Sequence, residues 1–297
     1  RDAPLAADPR DRCSHAANAW DFFKPDHSVE YPIVDGAMSQ GCYYDALEGC
    51  WDGLAEKIRR RTGGGHFGVE DLDYFCFHAP YNKLVQKSFG RMFLCDARRK
   101  ASNSEDNKDT EEEGKRETTD DPLAPYLDLP SPSTYSDRSL EKTLKTLSAK
   151  AYKEKLEEAN LLSKKIGNTY AASVFMGIAS LIDSAGGREA LEVGKTIGVF
   201  SYGSGSIATM YRLKVRQTTQ QRFTIAGMAA RLSLPARLAA RERVAPGELD
   251  LALGCRARMH RAGAPYSPVY PPARMFPGTY YLCGIGGGWV RTYGRAE

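Results

Sequence analysis

No stretch of this sequence approaches the ~20 consecutive apolar residues that a membrane-spanning helix needs, and no signal-peptide pattern opens it. The expectation is a chain that meets no membrane. Charge of one sign is also lacking: 41 Lys and Arg stand against 37 Asp and Glu, a formal +4, with the two signs interspersed. A nucleic-acid footprint needs a basic stripe or patch, so no nucleic-acid partner is expected, while a small anionic ligand remains compatible. The seven cysteines form no C-x-x-C pair and no His/Cys cluster at zinc-ligand spacing. That pattern, with the odd count, argues against both a disulfide framework and a structural metal site, and a reducing cytoplasmic compartment is expected. At 297 residues and 42% hydrophobic, the chain has the composition of a globular protein able to bury one large core or two smaller layers. It opens without Met, in what reads as a loop, and is expected to be a fragment of a longer protein.

Residues 1–14 are polar and Pro/Ala-rich, so the ordered fold is expected to start near His15 and run to residue 297. "GCYYDALEGCWDGLAEKIRRR" places Tyr44, Leu47, Trp51, Leu54 and Ile58 three and four apart, the spacing of one buried helical face, and stops at "GGG". Residues 98–121 have almost no apolar side chain and cannot offset the entropy of ordering them; a charged, disordered insertion is expected there. "SLEKTLKTLSAKAYKEKLEEANLLSKK" reads as helix with Lys and Glu at i,i+4 spacing. "KTIGVFSY" reads as strand, "SIATMYRLKV" as helix or strand, and "GTYYLCGIGGGWVRTY" as two β-prone arms around a glycine turn. Strands alternating with helices point to an α/β layered fold.

Chemistry has three candidate locations. "YFCF" is a short apolar strand, and "YNKLVQKSFGRMF" a helix, so His78 falls at the strand-to-helix corner. Such a corner lies at the carboxyl edge of a sheet, where α/β folds gather ligands and a helix N-terminus offers free N–H groups. Lys83 and Lys87, at i and i+4, rise from one helix face as point charges suited to phosphates. A capped helix with two solvated lysines is the plainer reading. In "VFSYGSGSIATM", the run Tyr202, Gly203, Ser204, Gly205 allows a sharp turn and close backbone approach to a ligand. G-x-S-x-G spacing and a P-loop lysine are both missing, and a tight turn with a satisfied serine fits equally. In "KKIGNTYAASVFMGIASLI", Asn168 precedes a helix expected over Ala171 to Ile182; it is either a cap or an amide donor to an oxygen in a cleft. "CGIGGGW" sits near the end of the sequence with no helix after it, so it reads as a hairpin turn rather than a dinucleotide fingerprint. Cys42 looks like a buried helical residue, and no cysteine has a nucleophile motif around it.

Taken together, "WDFFKPD", "YPIVDGAMSQGCYYDALEGCW", "FHAPYNKLVQKS", "GNTYAASVFMGIASLI", "IGVFSYGSGSIATMYRLKV" and "FPGTYYL" resemble the carboxyl-terminal part of the 3-hydroxy-3-methylglutaryl-CoA synthase family. The likeness runs from about His15 to Tyr293, interrupted by the charged insertion and weakest from Gln217 to Arg274. It implies a thiolase-like α/β fold, a layered sheet with packed helices. The activity it implies is condensation of acetyl-CoA with acetoacetyl-CoA and water to give 3-hydroxy-3-methylglutaryl-CoA and CoA. CoA thioesters are then substrates, no cofactor or metal is needed, and a homodimer is expected. His78 of "FHAPY" matches the family's histidine that binds and polarises the acetoacetyl thioester, and Asp21 matches an aspartate that supports the active site. Lys83 and Lys87 match its CoA-binding pair. Ser39 of "DGAMS", Asn168 of "GNTY" and Ser204 of "YGSG" match substrate contacts, and Pro80 and Tyr202 in the same motifs join that binding set.

The family's nucleophilic cysteine and its general acid/base glutamate lie upstream of the region matched here, so this chain is expected not to form an acetyl-enzyme by itself. The charged insertion and the Arg/Ala-rich stretch from Met228 to Arg243 depart from the family pattern. A non-catalytic CoA-thioester-binding or scaffold protein of the same fold is the alternative, and a thiolase-fold enzyme acting on other acyl thioesters stands behind it. Isoprenoid synthesis and ketone-body formation both remain open as destinations of the product.

Overall fold

Helix α1 (Gly36–Thr62) starts where the Asp35 carboxylate accepts the Met38 N–H at 2.9 Å, satisfying a donor that has no partner inside the helix. It ends at Gly63, whose φ of 79° is the left-handed conformation glycine adopts without strain. The sequence places the stop at this "GGG". Tyr44, Leu47, Trp51, Leu54 and Ile58 are all buried, as their spacing predicts. The computed structural model describes residues 2–29, 31–106, 121–186, 190–260, 262–268 and 275–297.

The chain divides into two compact units, Arg1–Phe22 with Asp35–Ala240, and Phe23–Val34 with Arg241–Glu297. In the first unit, β1 (Leu5–Ala16), β4 (Tyr74–Phe77), β5 (Thr196–Gly203) and β6 (Ile207–Val215) form one mixed sheet in the order β1-β6-β5-β4. β5 runs parallel to β4 and antiparallel to β6, which in turn runs antiparallel to β1. Alternate residues face opposite layers, as the pleat requires. Phe75, Phe77, Phe200 and Met210 join α1 and the helix α2 (Asn82–Asp106) in one core cluster. Cys76, Ile197, Val199 and Leu213 join Val174 and Leu181 of α5 (Ser173–Leu181) and Ala229 of α6 (Ile225–Leu232) in the other. The sheet is thus covered by helices on both faces, which gives the α/β layering expected from sequence. The undecided "SIATMYRLKV" is strand, because it closes an antiparallel hairpin with β5.

Two expectations are corrected. Residues 1–14 are not a polar tail before the fold: β1 spans Leu5–Ala16 and pairs with β6 along most of its length. Its polarity is accommodated because Asp11, 2% exposed, is ion-paired to Arg61 of α1 and Arg212 of β6. The disorder expected from residue 98 does not hold for residues 98–106. Residues 98–106 continue α2, and Arg98 donates to Ser131 Oγ at 2.6 Å and to the carbonyls of Tyr126 and Leu129 at 2.9 and 2.7 Å. Residues 107–120 lie outside the described residues.

The long helical stretch after residue 138 is two helices, α3 (Arg138–Lys155) and α4 (Leu161–Ile166). Between them Asn160 donates to the Tyr152 hydroxyl at 3.2 Å and Ser180 Oγ donates to the Glu158 carbonyl at 2.6 Å, so the chain there bonds to its neighbours instead of continuing the helix. α5 begins later than expected, after a 3₁₀ turn at Tyr170–Ala172. A short helix, α7 (Leu234–Ala239), follows α6.

The second unit holds α8 (Pro246–His260) and the antiparallel hairpin of β7 (Tyr280–Ile285) and β8 (Arg291–Arg295), with a turn through Gly287–Trp289 where the glycine run suggests one. The remaining strands, β2 (Phe22–Phe23) and β3 (Ile33–Val34), form a two-residue ribbon. Among the described residues no helix is long and apolar enough to cross a membrane, and no group of three or more His, Cys, Asp or Glu is placed to hold a metal ion. All seven cysteines are free thiols.

Candidate active site

β4 and β5 are parallel neighbours with Phe77 opposite Phe200, so both chains leave the sheet at the same carboxyl edge. His78 is the first residue beyond that edge. Its N–H donates to the Phe200 carbonyl at 2.7 Å, its carbonyl accepts the Tyr43 hydroxyl at 2.7 Å, and the next N–H, of Ala79, donates to Ser173 Oγ at 2.9 Å. Groups from β5, α1 and α5 thus fix the corner where the sequence places a candidate imidazole. His78 itself is half-buried, and burial lowers its pKa to about 4. At neutral pH the ring is uncharged, with one nitrogen donating and the other accepting. Pro80, also half-buried, sets the chain two residues ahead of α2.

At the same edge β5 ends in Tyr202 and Gly203 and turns through Ser204 and Gly205 into β6. Gly205 has φ +123°, a conformation that side-chain-bearing residues seldom adopt. Asp21, 0% exposed, holds this bend: one carboxylate oxygen accepts the Gly205 N–H at 3.2 Å and the other the Tyr202 hydroxyl at 3.3 Å. The residues before Asp21 are strapped to the bend by Ala17 N–H to the Ser206 carbonyl at 3.0 Å and Ala19 N–H to the Gly205 carbonyl at 2.7 Å. Burial, then the Asp21 carboxylate, raises the Tyr202 pKa, so the phenol stays protonated. Asp21 also reaches α1, its carbonyl accepting the Asp35 N–H at 3.1 Å. One turn further on, half-buried Ser39 donates its N–H to the Asp35 carbonyl at 2.8 Å. Ser204 is exposed at the tip.

The remaining candidates are less closely joined. Lys83 is exposed in the first turn of α2, whereas Lys87 is half-buried and ion-paired to Glu141 of α3 at 2.9 Å. The i,i+4 geometry holds, but one of the two ammonium groups already has a carboxylate. Asn168 Oδ1 accepts the Tyr170 N–H at 2.8 Å, an Asx turn ahead of the 3₁₀ turn; it does not cap α5, whose N-cap is Ala172. Its neighbours Gly167 and Thr169 line a small cavity together with Phe77, Ala79 and Ser173, so the Asn168 loop borders the His78 corner. Cys42 is only half-buried; burial and the nearby Asp21 and Asp45 carboxylates raise its pKa, which disfavours a nucleophilic thiolate. Ser173, Asp35 and Tyr43 were not singled out by the sequence. Tyr43 and Ser173 act through bonds to backbone atoms 35 and 94 residues away, which no motif records, whereas Asp35 is the local cap of α1.

A family model described as "Hydroxymethylglutaryl-coenzyme A synthase C terminal" matches residues 5–296. Hydroxymethylglutaryl-CoA synthase A of Dictyostelium discoideum is 34% identical over 293 residues, 99% of this chain and 56% of the relative. The cytoplasmic hydroxymethylglutaryl-CoA synthase of Rattus norvegicus is 36% identical over 298 residues, 99% of this chain and 55% of the relative. The chain therefore spans just over half the length of these relatives. Among solved structures, MvaS in complex with 3-hydroxy-3-methylglutaryl coenzyme A is similar with a TM-score of 0.67 and 25% identity, covering 99% of this chain and 58% of that one. The fold is thiolase-like, as expected.

Proposed function

The chain belongs to the hydroxymethylglutaryl-CoA synthase family, and from that premise we propose that it supplies the acetoacetyl-CoA and CoA-binding part of an enzyme that condenses acetyl-CoA, acetoacetyl-CoA and water to 3-hydroxy-3-methylglutaryl-CoA and CoA. The observation that carries this reading is the position of a neutral His78 at the shared carboxyl edge of β4 and β5, beside the Tyr202–Gly205 bend that Asp21 holds. Adding an acetyl carbanion to the ketone of acetoacetyl-CoA builds negative charge on the ketone oxygen. A fixed imidazole N–H donates to that oxygen without the cost of reorganising water, and removing one such donor typically lowers a rate by about 10²–10³.

In this reading Asp21 and Tyr202 keep the bend in shape, while Ser39, Pro80, Asn168 and Ser204 contact the bound thioester. Lys83 takes a CoA phosphate, and Lys87 joins it by exchanging the Glu141 carboxylate for a phosphate oxygen. These contacts contribute binding and orientation rather than bond-making. CoA thioesters are the substrates and no further cofactor is called on. The seven free thiols fit a reducing cytoplasm, where we place the protein as a homodimer.

Incubating the natural polypeptide with radiolabelled acetyl-CoA, followed by acetoacetyl-CoA, tests the proposal. Covalent label that is then released as hydroxymethylglutaryl-CoA supports the condensing enzyme. Binding of CoA thioesters without covalent label or product supports a non-catalytic thioester-binding protein instead.

A further inference from the structure

We propose that Tyr43 is a positioning residue that locks the His78 corner to the Tyr202–Gly205 bend. This rests on the functional reading above for the identity of the ligand, but not for the geometry. Tyr43 is 1% exposed, and its hydroxyl is spent on one bond, 2.7 Å to the main-chain carbonyl of His78. A buried phenol that donates to a backbone carbonyl fixes the peptide plane that carries the neighbouring side chain. The same ring packs on Tyr202 with centroids 4.9 Å apart and meets Phe200 edge-on at 5.3 Å.

Tyr202 in turn donates to Asp21, which accepts from Gly205. A single side chain therefore touches the peptide of the candidate catalytic histidine and the aromatic anchor of the opposite loop. α1 carries it there, and α1 is itself fixed by the Asp35 cap, whose N–H bonds to the Asp21 carbonyl. Without the Tyr43 hydroxyl, the His78 carbonyl loses its bond, and the peptide that carries the imidazole loses one of its anchors.

The test is Tyr43→Phe, which keeps the ring and removes only the hydroxyl, read by two measurements on the whole protein. The first is the imidazole NMR spectrum of His78, assigned by its disappearance in His78→Gln. The second is acetoacetyl-CoA affinity against thermal unfolding. Tyr152→Phe serves as control, since Tyr152 of α3 is 7% exposed and its hydroxyl bonds the Asn160 side chain, not the His78 peptide. The expected result is that Tyr43→Phe shifts or broadens the His78 signals and lowers acetoacetyl-CoA affinity about tenfold, while Tyr152→Phe lowers only the unfolding temperature. Unchanged His78 signals in Tyr43→Phe overturn the proposal whether or not the protein binds a thioester. Wild-type protein that binds no acetoacetyl-CoA refutes the functional reading alone, and the imidazole signals still decide the role of Tyr43.

Discussion

An imidazole kept neutral by burial leaves a signature in acid. His78 has its pKa lowered by burial from 6.5 to about 4. Above pH 6.5 the folded and unfolded chains both carry it uncharged. Between about 6.5 and 4 the unfolded chain takes up a proton that the folded one does not, so stability falls as the pH drops and levels off below 4. The full shift corresponds to about 3 kcal/mol, an upper bound because solvent partly reaches the ring. Urea unfolding of wild type and His78→Gln across this window is expected to show the steeper acid loss in wild type only; parallel curves contradict it. The Asp21-held bend offers a second residue-level test. Nothing lies within 4 Å of a Cβ built on Gly205, so a Gly205→Ala change meets no clash and suffers only the strain of φ +123°. A loss of about 1–3 kcal/mol in unfolding free energy is expected, with the Tyr202–Asp21 contact weakened. Little of this was readable in advance. Sequence marked the bend by its glycines and His78 by its corner, but the bonds that fix them reach across 35 residues, as from Tyr43 to His78, up to 181, as from Asp21 to Tyr202.

At the scale of elements, legibility followed periodicity. α1 declared itself through Tyr44, Leu47, Trp51, Leu54 and Ile58, and through its glycine stop, because a helix burying one face against a sheet has to repeat apolar residues at 3.6. β4 and β5 were equally plain as short apolar runs buried on both faces. β1 was not, because its pairing is to β6 alone and its buried position is a charge: Asp11 is tolerable only with the two guanidinium groups that tertiary structure brings to it. Pro9 argues against a central strand but is accommodated at the sheet edge, where the register shifts between Ala7 and Arg12. The extension of α2 past residue 98 likewise rests on Arg98 capping the carbonyls of a distant loop. The start of α1 carries an element-scale prediction. Asp35→Ala removes the acceptor for the Met38 N–H and is expected to cost about 0.5–2 kcal/mol in chemical unfolding. It is also expected to loosen the first turn that carries Ser39, seen as faster amide exchange there; unchanged stability and exchange contradict the capping role.

At the scale of the whole molecule, the site draws on every layer of the first unit: the α1 start, the β4 and β5 edge, the β5–β6 bend and the α5 start all reach His78, Ala79 or Asp21. The layered α/β class was legible because helices and strands alternate, and the family likeness named the candidates. The Lys87–Glu141 pair was not foreseen, since its two residues lie on separate helices, α2 and α3, far apart in the chain. It separates two roles that the lysine spacing had merged, and Glu141→Gln is expected to tighten CoA binding by freeing the Lys87 ammonium, measured by calorimetry; unchanged affinity contradicts that exchange. The central claim, that His78 binds the ketone oxygen of acetoacetyl-CoA, is tested most directly by titrating acetoacetyl-CoA and free CoA into wild type and His78→Ala. The account expects wild type to bind both, and the substitution to weaken acetoacetyl-CoA about tenfold while leaving free CoA unchanged. Equal affinities of the two proteins for acetoacetyl-CoA, or no binding to either, contradict it.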